Sequence, residues 1–255
     1  MSDDEAAEFL HAVVCPRRRG EPRLASPFAD VAMHHVPTPH GRVAAWRLGE
    51  GPAALLLHGW EDDHTLWATL IDALVAGGRA VVACDFPGHG FSDGEVSYGA
   101  EWADTCVAVA AALGPVDAIV AHSAGCGPPM MATTEGLVVD RAVLVAPPLR
   151  SGNRWQRVAE RMGVSPEVAA EAQARYEARI GPDRAAFHLG DLLPTVDIDV
   201  LLVHSTDDER MPVAATQAIA ATCPRAELLV ISGANHRRTA RDPEVVARIA
   251  DFLAP

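Results

Sequence analysis

The chain has 255 residues, of which 49% are hydrophobic and 22% charged, and its formal net charge is −13. Every basic side chain is an arginine, and the acidic balance argues against nucleic acid and anionic membrane surfaces as partners, because both attract basic proteins. A globular chain of this length buries roughly three quarters of its unfolded surface, so neither disulfides nor a metal are needed to stabilise the core.

The cysteines and apolar runs indicate a reduced environment away from membranes. Five cysteines occur without a C-x-x-C pair, which predicts free thiols and a cytoplasmic location. The acidic N-terminus lacks the pattern of a secretory signal, and no run approaches the ~18 apolar residues of a membrane span. The HExxH, paired Cys/His, Walker and Rossmann patterns are missing, so we expect no metal and no cofactor.

In chain order, residues 1–28 show no strong pattern and are expected to form a loosely held arm, after which short apolar runs alternate with helical patterns. The apolar runs are typical of strands that are buried on both faces of a sheet. Strands are predicted at 42–48, 53–58, 80–84, 117–121, 141–146, 198–204 and 226–231, and helices at 64–76, 99–113, 212–222 and 242–253. This alternation predicts an α/β fold, with helices flanking a mostly parallel sheet.

Residues 149–195 break the alternation. They contain two helical patterns, 153–163 and 166–180, and no convincing strand; the second begins Ser-Pro-Glu, a good helix start. A helical insertion between two core strands predicts a small cap over the carboxyl edge of the sheet. The core then comprises residues 29–148 and 196–255.

The strongest chemical signal is the run AHSAG at residues 121–125, directly after a predicted strand. A serine on a tight strand-to-helix turn needs small neighbours, because the turn forces side chains and backbone together. Such a turn exposes the hydroxyl above the sheet and leaves backbone N–H groups free at the helix start. This pattern makes Ser123 a candidate nucleophile; the alternative is a plain turn in which the serine caps a helix.

Two Gly-containing loops follow other strands. In LHGW, residues 57–60, a glycine lets the next N–H turn toward the nucleophile, so the backbone N–H groups of Trp60 and Ala124 are candidates for an oxyanion hole. His58 itself is expected to make a structural hydrogen bond beneath the loop. The run DFPGHGFS at 85–92 indicates a turn in which His89 and Ser92 are structural.

Candidates for the acid and the base follow the last two strands. The run HSTDDERMP at 204–212 offers two adjacent carboxylates, Asp207 and Asp208, and the run GANH at 233–236 offers His236. A carboxylate at a strand end can orient a catalytic histidine. The chain order of serine, acid and histidine is the order expected when an α/β sheet carries the triad.

Over about residues 30–254 the sequence resembles the α/β-hydrolase superfamily, through the stretches LLLHGW, DFPGHGFSD, VAHSAGC, LLVHSTDDERMP and ISGANH. The resemblance implies that Ser123 attacks a carbonyl carbon, that His236 takes its proton and that an aspartate fixes the imidazole. It favours Asp208, which lies four residues before the proline that opens the next helix. It also excludes the branches whose nucleophile is an aspartate.

Three positions depart from the family pattern. Ala121 replaces the first glycine of the turn, Ser205 replaces a glycine before the acid, and Pro128-Pro129 fall early in the next helix. Because proline lacks an N–H and kinks a helix beyond its first turn, we expect that helix to be distorted or short.

These signals predict a serine hydrolase that cleaves a small or medium uncharged carboxylic ester. Trp155, Met130 and Phe187 are the candidate pocket residues. Alternatives on the same triad are a carbon–carbon bond (diketone) hydrolase, a lactonase, a thioesterase or a haloperoxidase-like side activity. A ligand-binding protein of the same fold is the alternative from another class. A small-molecule substrate is the only partner expected, and the chain is expected to be a monomer or homodimer.

Overall fold

The computed structural model describes residues 3–17, 25–149 and 153–255. Eight strands form one sheet in the order β1-β2-β4-β3-β5-β6-β7-β8. Their bounds are β1 His34–Thr38, β2 Gly41–Leu48, β3 Ala53–Leu57, β4 Ala80–Cys84, β5 Ala118–His122, β6 Arg141–Val145, β7 Asp199–Ser205 and β8 Ala226–Ile231. From β4 to β8 every neighbouring pair is parallel, which confirms the mostly parallel α/β sheet.

Ten α-helices are assigned within the described residues. They are α1 Asp3–Val14, α2 Ala68–Ala76, α3 Trp102–Leu113, α4 Gly127–Thr134, α5 Asn153–Met162, α6 Pro166–Ile180, α7 Pro182–Ala185, α8 Leu189–Leu192, α9 Val213–Ala220 and α10 Pro243–Phe252. None of these helices is long and apolar enough to cross a bilayer.

Alternate residues of the central strands point to opposite faces of the sheet, and each face has its own core. On β3, Leu55 and Leu57 pack with α3 and α4, whereas Leu56 packs on the other side with α2 and α10. The central strands β3 and β4 are therefore apolar at every position, as expected for a sheet covered by helices on both sides.

The antiparallel strand β1, with the sequence HHVPT, was not predicted from the sequence. It pairs only with β2, at the edge of the sheet, and both of its histidines are exposed. Proline is tolerated at an edge because its missing N–H interrupts no ladder. A short polar strand containing proline therefore carries no strong strand signal.

Residues 3–14 form helix α1 where we expected a loosely held arm over residues 1–28; residues 1, 2 and 18–24 of that arm lie outside the described residues. Helix α1 buries Ala6, Phe9 and Val13 against Val158 of α5 and Val168 of α6. These three residues of α1 follow the spacing of one helical face, so the helix has an apolar stripe that it buries against the insertion between β6 and β7.

Ion pairs tie the insertion to the core. Arg179 on α6 lies 2.9 Å from Glu101, and Arg184 on α7 lies 2.6 Å from Asp104 of α3. Arg184 donates to both oxygens of that carboxylate, a bidentate geometry that lysine cannot reproduce. Helices α6 and α7 are therefore held beside the start of α3.

Candidate active site

Ser123 lies at the sharp turn between β5 and α4. It follows the last residue of β5, starts a three-residue 3-10 turn and has a positive φ of 52°. A non-glycine residue in this region is strained, and such strain is retained where the surrounding structure enforces it. The turn is the local geometry that presents a nucleophilic hydroxyl above a parallel sheet.

Small residues make this turn possible. A Cβ atom on Gly125 would lie 2.2 Å from the carbonyl oxygen of His58, and one on Gly59 would lie 3.0 Å from the Cβ of Ser123. Ala121, in place of the usual glycine, lies within β5 opposite Leu57, where a methyl group is accommodated in the core. The close approach that demands glycine is therefore at residues 59 and 125.

The prolines after the turn are accommodated as well. Pro128 and Pro129 lie in the first turn of α4, where backbone N–H groups have no intrahelical acceptor. The helix is only eight residues long and is preceded by the 3-10 turn Ser123–Gly125. The expected short helix is observed, and the prolines interrupt none of its hydrogen bonds.

Three side chains from distant segments form one chain of hydrogen bonds. The Nε2 atom of His236 lies 2.8 Å from the Oγ of Ser123, and its Nδ1 atom lies 2.6 Å from the Oδ2 of Asp208. Because a carboxylate only accepts, Nδ1 carries the proton and the lone pair of Nε2 faces the serine hydroxyl. This tautomer is the one that removes a proton from serine.

Asp208 is held as a buried carboxylate. Its Oδ1 accepts the backbone N–H groups of Arg210 and Met211 at 2.9 and 3.0 Å. Burial raises the pKa of this carboxyl, but hydrogen bonds from His204 and His236 outweigh that effect and leave the pKa far below its usual range. At neutral pH Asp208 is therefore ionised and places a negative charge beside the imidazole of His236.

Asp207, the competing acid, faces elsewhere. Its Oδ2 accepts from the backbone N–H of Gly233 at 2.8 Å and from the hydroxyl of Thr206 at 2.9 Å. These bonds join the turn after β7 to the loop after β8 and lower the pKa of Asp207. Of the two adjacent carboxylates, only Asp208 bonds to the imidazole of His236.

The two oxyanion candidates lie close to Ser123, Ala124 as its neighbour in the sequence and Trp60 through the fold. Ala124 directly follows Ser123 at the start of the turn, where N–H groups lack helical acceptors. Trp60 follows Gly59, the residue whose missing side chain lets the loop approach Ser123. Below that loop His58 donates to the carbonyl of Gly59 and accepts from Phe86, the structural bond expected from the sequence.

The three pocket candidates lie in different surroundings. The Phe187 ring lies 3.6 Å from the position of a Cβ on Gly127, at the start of α4. Met130 is fully buried in the core. Trp155 packs at 5.7 Å from Phe9, within the cluster that joins α1 to α5 and α6. Phe187 is the candidate whose contact lies next to the nucleophile turn.

Sequence analysis missed the contacts of two side chains that adjoin candidate catalytic residues. His122 donates through Nε2 to the carbonyl of His236 at 2.9 Å, and burial lowers the pKa of His122 to about 4. Arg237 makes two hydrogen bonds to Asp62, at 2.6 and 2.8 Å. His122 and Arg237 adjoin candidate catalytic residues in the sequence, but nothing in the spacing indicates their partners.

A second Ser-His-Asp chain exists elsewhere in the protein. Ser26 lies 3.0 Å from the Nε2 atom of His64, whose Nδ1 atom lies 3.1 Å from Asp85. Here the serine oxygen also accepts the N–H of Phe28, and the imidazole is fully buried at 4.1 Å from the Trp46 ring. Ser26 does not lie in a turn with positive φ. We therefore interpret these hydrogen bonds as contacts that join three segments of the fold.

No group of three or more His, Cys, Asp or Glu side chains in the described ranges 3–17, 25–149 and 153–255 is arranged to hold a metal ion. The cysteines among the described residues are free, and four of them are buried. Burial raises the pKa of Cys126, which lies between the nucleophile turn and α4, well above its usual range. Its thiol is therefore protonated and is a poor nucleophile.

Comparisons with known proteins identify the family and similar solved structures. A sequence model of the alpha/beta hydrolase family matches residues 54–249. An esterase from Rhodococcus sp. ECU1013 is 25% identical, with a TM-score of 0.68 over 86% of this chain and 98% of that one. A thermophilic esterase from Thermogutta terrifontis, solved with malate bound, is 22% identical, with a TM-score of 0.68 over 87% and 98%. A bromoperoxidase from Bacillus anthracis is 16% identical, with a TM-score of 0.67 over 88% and 100%.

Proposed function

The chain belongs to the α/β-hydrolase family, and we propose that it is a serine hydrolase that cleaves small or medium carboxylic esters through an acyl-enzyme. The observation that carries this proposal is the hydrogen-bond chain from Ser123 through His236 to Asp208, with distances of 2.8 and 2.6 Å. The esterases to which the chain is similar support the choice of bond.

In the first half-reaction the Oγ of Ser123 attacks the ester carbonyl carbon while its proton moves to Nε2 of His236. The carbonyl oxygen becomes an oxyanion and accepts hydrogen bonds from the N–H groups of Trp60 and Ala124, each contributing roughly 3 kcal/mol of transition-state stabilisation. The imidazolium is stabilised by the ionised Asp208. It then protonates the leaving alkoxide as the carbon–oxygen bond breaks.

In the second half-reaction water replaces the alcohol. His236 takes a proton from the water, whose oxygen attacks the acyl carbon, and the same oxyanion donors stabilise the second tetrahedral intermediate. Collapse of this intermediate breaks the bond to Ser123, which regains its proton from the imidazolium. The products are the alcohol and the carboxylic acid, and the resting protonation states are restored.

We propose that residues 149–195, of which 150–152 lie outside the described residues, act as a cap and that this cap limits the acyl group. Phe187 and Leu192 from this insertion are partly buried and pack against the same core face as Trp60 and Ala124. An apolar wall of this kind favours an uncharged acyl chain, because a charged one would be desolvated without a partner. Helix α1 supports the cap from its other side.

The test compares two serines that both bond to a histidine. Wild type, Ser123→Ala and Ser26→Ala are assayed with p-nitrophenyl esters of increasing acyl length and with a fluorophosphonate probe, whose fluoride is displaced by an activated serine. We expect Ser123→Ala to lose both turnover and labelling, and Ser26→Ala to keep both. Turnover or labelling that survives in a folded Ser123→Ala protein would refute the proposal.

Other reactions on the same triad are separated by substrate. Lactones, thioesters and a vinylogous diketone are assayed beside the esters, and a diketone preference would identify a carbon–carbon bond hydrolase. The similarity to a bromoperoxidase is the specific reason to include hydrogen peroxide and bromide. A protein that binds ligands without catalysis would leave the fluorophosphonate unreacted.

A further inference from the structure

We propose that the Asp62–Arg237 ion pair is a positioning clamp. It holds the loop after β8 that carries His236 (residues 232–237, the histidine loop) against the loop after β3 that carries Trp60 (residues 58–63, the oxyanion loop). Arg237 directly follows His236, and Asp62 lies two residues after Trp60. The guanidinium Nε and Nη2 atoms donate to the two carboxylate oxygens at 2.6 and 2.8 Å. The inference rests on the proposed function, since it assigns the pair a role in presenting His236 to Ser123.

The pair has the properties of a fixed contact. Asp62 is 7% exposed, and the side chain of Arg237 is 25% exposed. Burial raises the pKa of Asp62, but the hydrogen bonds and charge of Arg237 outweigh it, so the pKa is lowered and the carboxylate is ionised at neutral pH. A bidentate arginine–carboxylate pair fixes orientation as well as distance.

A second contact reaches the same loop from another side. His122, the residue before the nucleophile, donates to the carbonyl of His236 at 2.9 Å. The histidine loop is thus bonded to the nucleophile turn on one side and, through Arg237 and Asp62, to the oxyanion loop on the other. The backbone of His236 is held from two directions, while its ring is held by Asp208.

The consequence of removing the clamp follows from this arrangement. Removing Arg237 leaves the carboxylate of Asp62, which is 7% exposed, without its cationic partner, so the loop must move to hydrate it. The bond between Nε2 and Oγ depends on the position of that loop, and a misplacement of 1 Å at a reacting group costs about 100-fold in rate. Both residues of the pair lie outside the proposed cap, residues 149–195, so the loss should fall on kcat.

Arg238 provides a matched control. It is the next residue, and it is also an arginine. Its side chain is exposed, and its backbone N–H donates to the Oδ1 of Asn235. The variants Arg237→Gln and Arg238→Gln therefore make the same chemical change one residue apart. Arg237→Lys keeps the charge but loses the bidentate fork.

The experiment measures kcat and KM for the preferred ester, the thermal midpoint and the far-downfield NMR signal of the His236 Nδ1 proton. We expect Arg237→Gln to lower kcat about 10- to 100-fold, with KM within a factor of about two, and to broaden the downfield signal. Arg237→Lys should recover part of kcat, and Arg238→Gln should match wild type in every measurement.

The double variant Asp62→Asn/Arg237→Gln keeps the test decisive if a single variant unfolds, because it leaves no unpaired charge. Coupled residues predict that the double variant loses no more activity than the worse single one. The clamp would be overturned if the loss of kcat in the double variant equalled the product of the losses in the two single variants. It would also be overturned if Arg237→Gln kept the wild-type kcat and downfield signal. Wild type that is neither labelled by fluorophosphonate nor active on any ester would instead overturn the proposed function.

Discussion

Replacing Gly125 by alanine tests the geometry of the nucleophile turn. The new Cβ would lie 2.2 Å from the carbonyl oxygen of His58 and 3.3 Å from that of Leu57, so the turn must retreat by about 1 Å to restore van der Waals contact. Overpacking of this size costs about 1–3 kcal/mol of folding free energy. Because Ser123 and Ala124 precede the displaced residue, ester turnover should also fall by about 100-fold.

Gly127→Ala is the control for this change, two residues further along. Its Cβ would lie 3.6 Å from the Phe187 ring, which is ordinary contact, and the φ of Gly127 is not positive, so alanine can adopt it. Urea denaturation and ester kinetics on both variants make the comparison. A Gly125→Ala protein with wild-type stability and turnover, or a Gly127→Ala protein damaged as severely, would refute the reasoning.

Three further predictions concern the hydrogen-bonded side chains. Asp208→Asn should lower kcat by about 10⁴-fold because it favours the wrong imidazole tautomer, whereas Asp207→Asn should leave kcat nearly unchanged; steady-state kinetics decide. Ser26→Ala should lower the free energy of unfolding by about 1 kcal/mol, measured in urea, through its lost bond to His64. The pKa of His122 is lowered from 6.5 to about 4 by burial, so the unfolded chain binds this proton first, and stability should fall as the pH drops from about 6.5 to about 4. At about 1.4 kcal/mol per pH unit the fall is at most about 3 kcal/mol, and unfolding of His122→Gln across that range should lack it.

The core of the fold was predictable because its signals are local. Each parallel strand contains an apolar run of at least four residues, and each candidate catalytic side chain follows one of these strands in a turn with its own chemistry. The seven predicted strands agree with the observed ones to within about a residue at most ends. Parallel strands bring their carboxyl ends to one edge, so residues 123, 208 and 236 meet there despite their separation in the sequence.

The N-terminal helix shows a different limit. Ala6, Phe9 and Val13 have the spacing of a helical face, so the signal was present, but twelve residues are marginal for an isolated helix. What stabilises α1 is burial against α5 and α6, more than 140 residues away in the chain. A sequence pattern predicts the apolar face of a helix, but it does not identify the helices that pack against that face.

The contacts around the catalytic residues lie beyond local patterns for the same reason. Asp62 and Arg237 are 175 positions apart, and neither position alone differs from an ordinary charged loop residue. The candidate triad residues could be recognised in the sequence because the proposed chemistry requires particular side chains in a particular order, whereas a clamp requires only some pair of complementary groups between two loops. Many pairs satisfy that requirement, so its members are recognised only when the fold brings the loops together. In this chain, the candidate catalytic residues are therefore more predictable from sequence than the residues proposed to hold them in place.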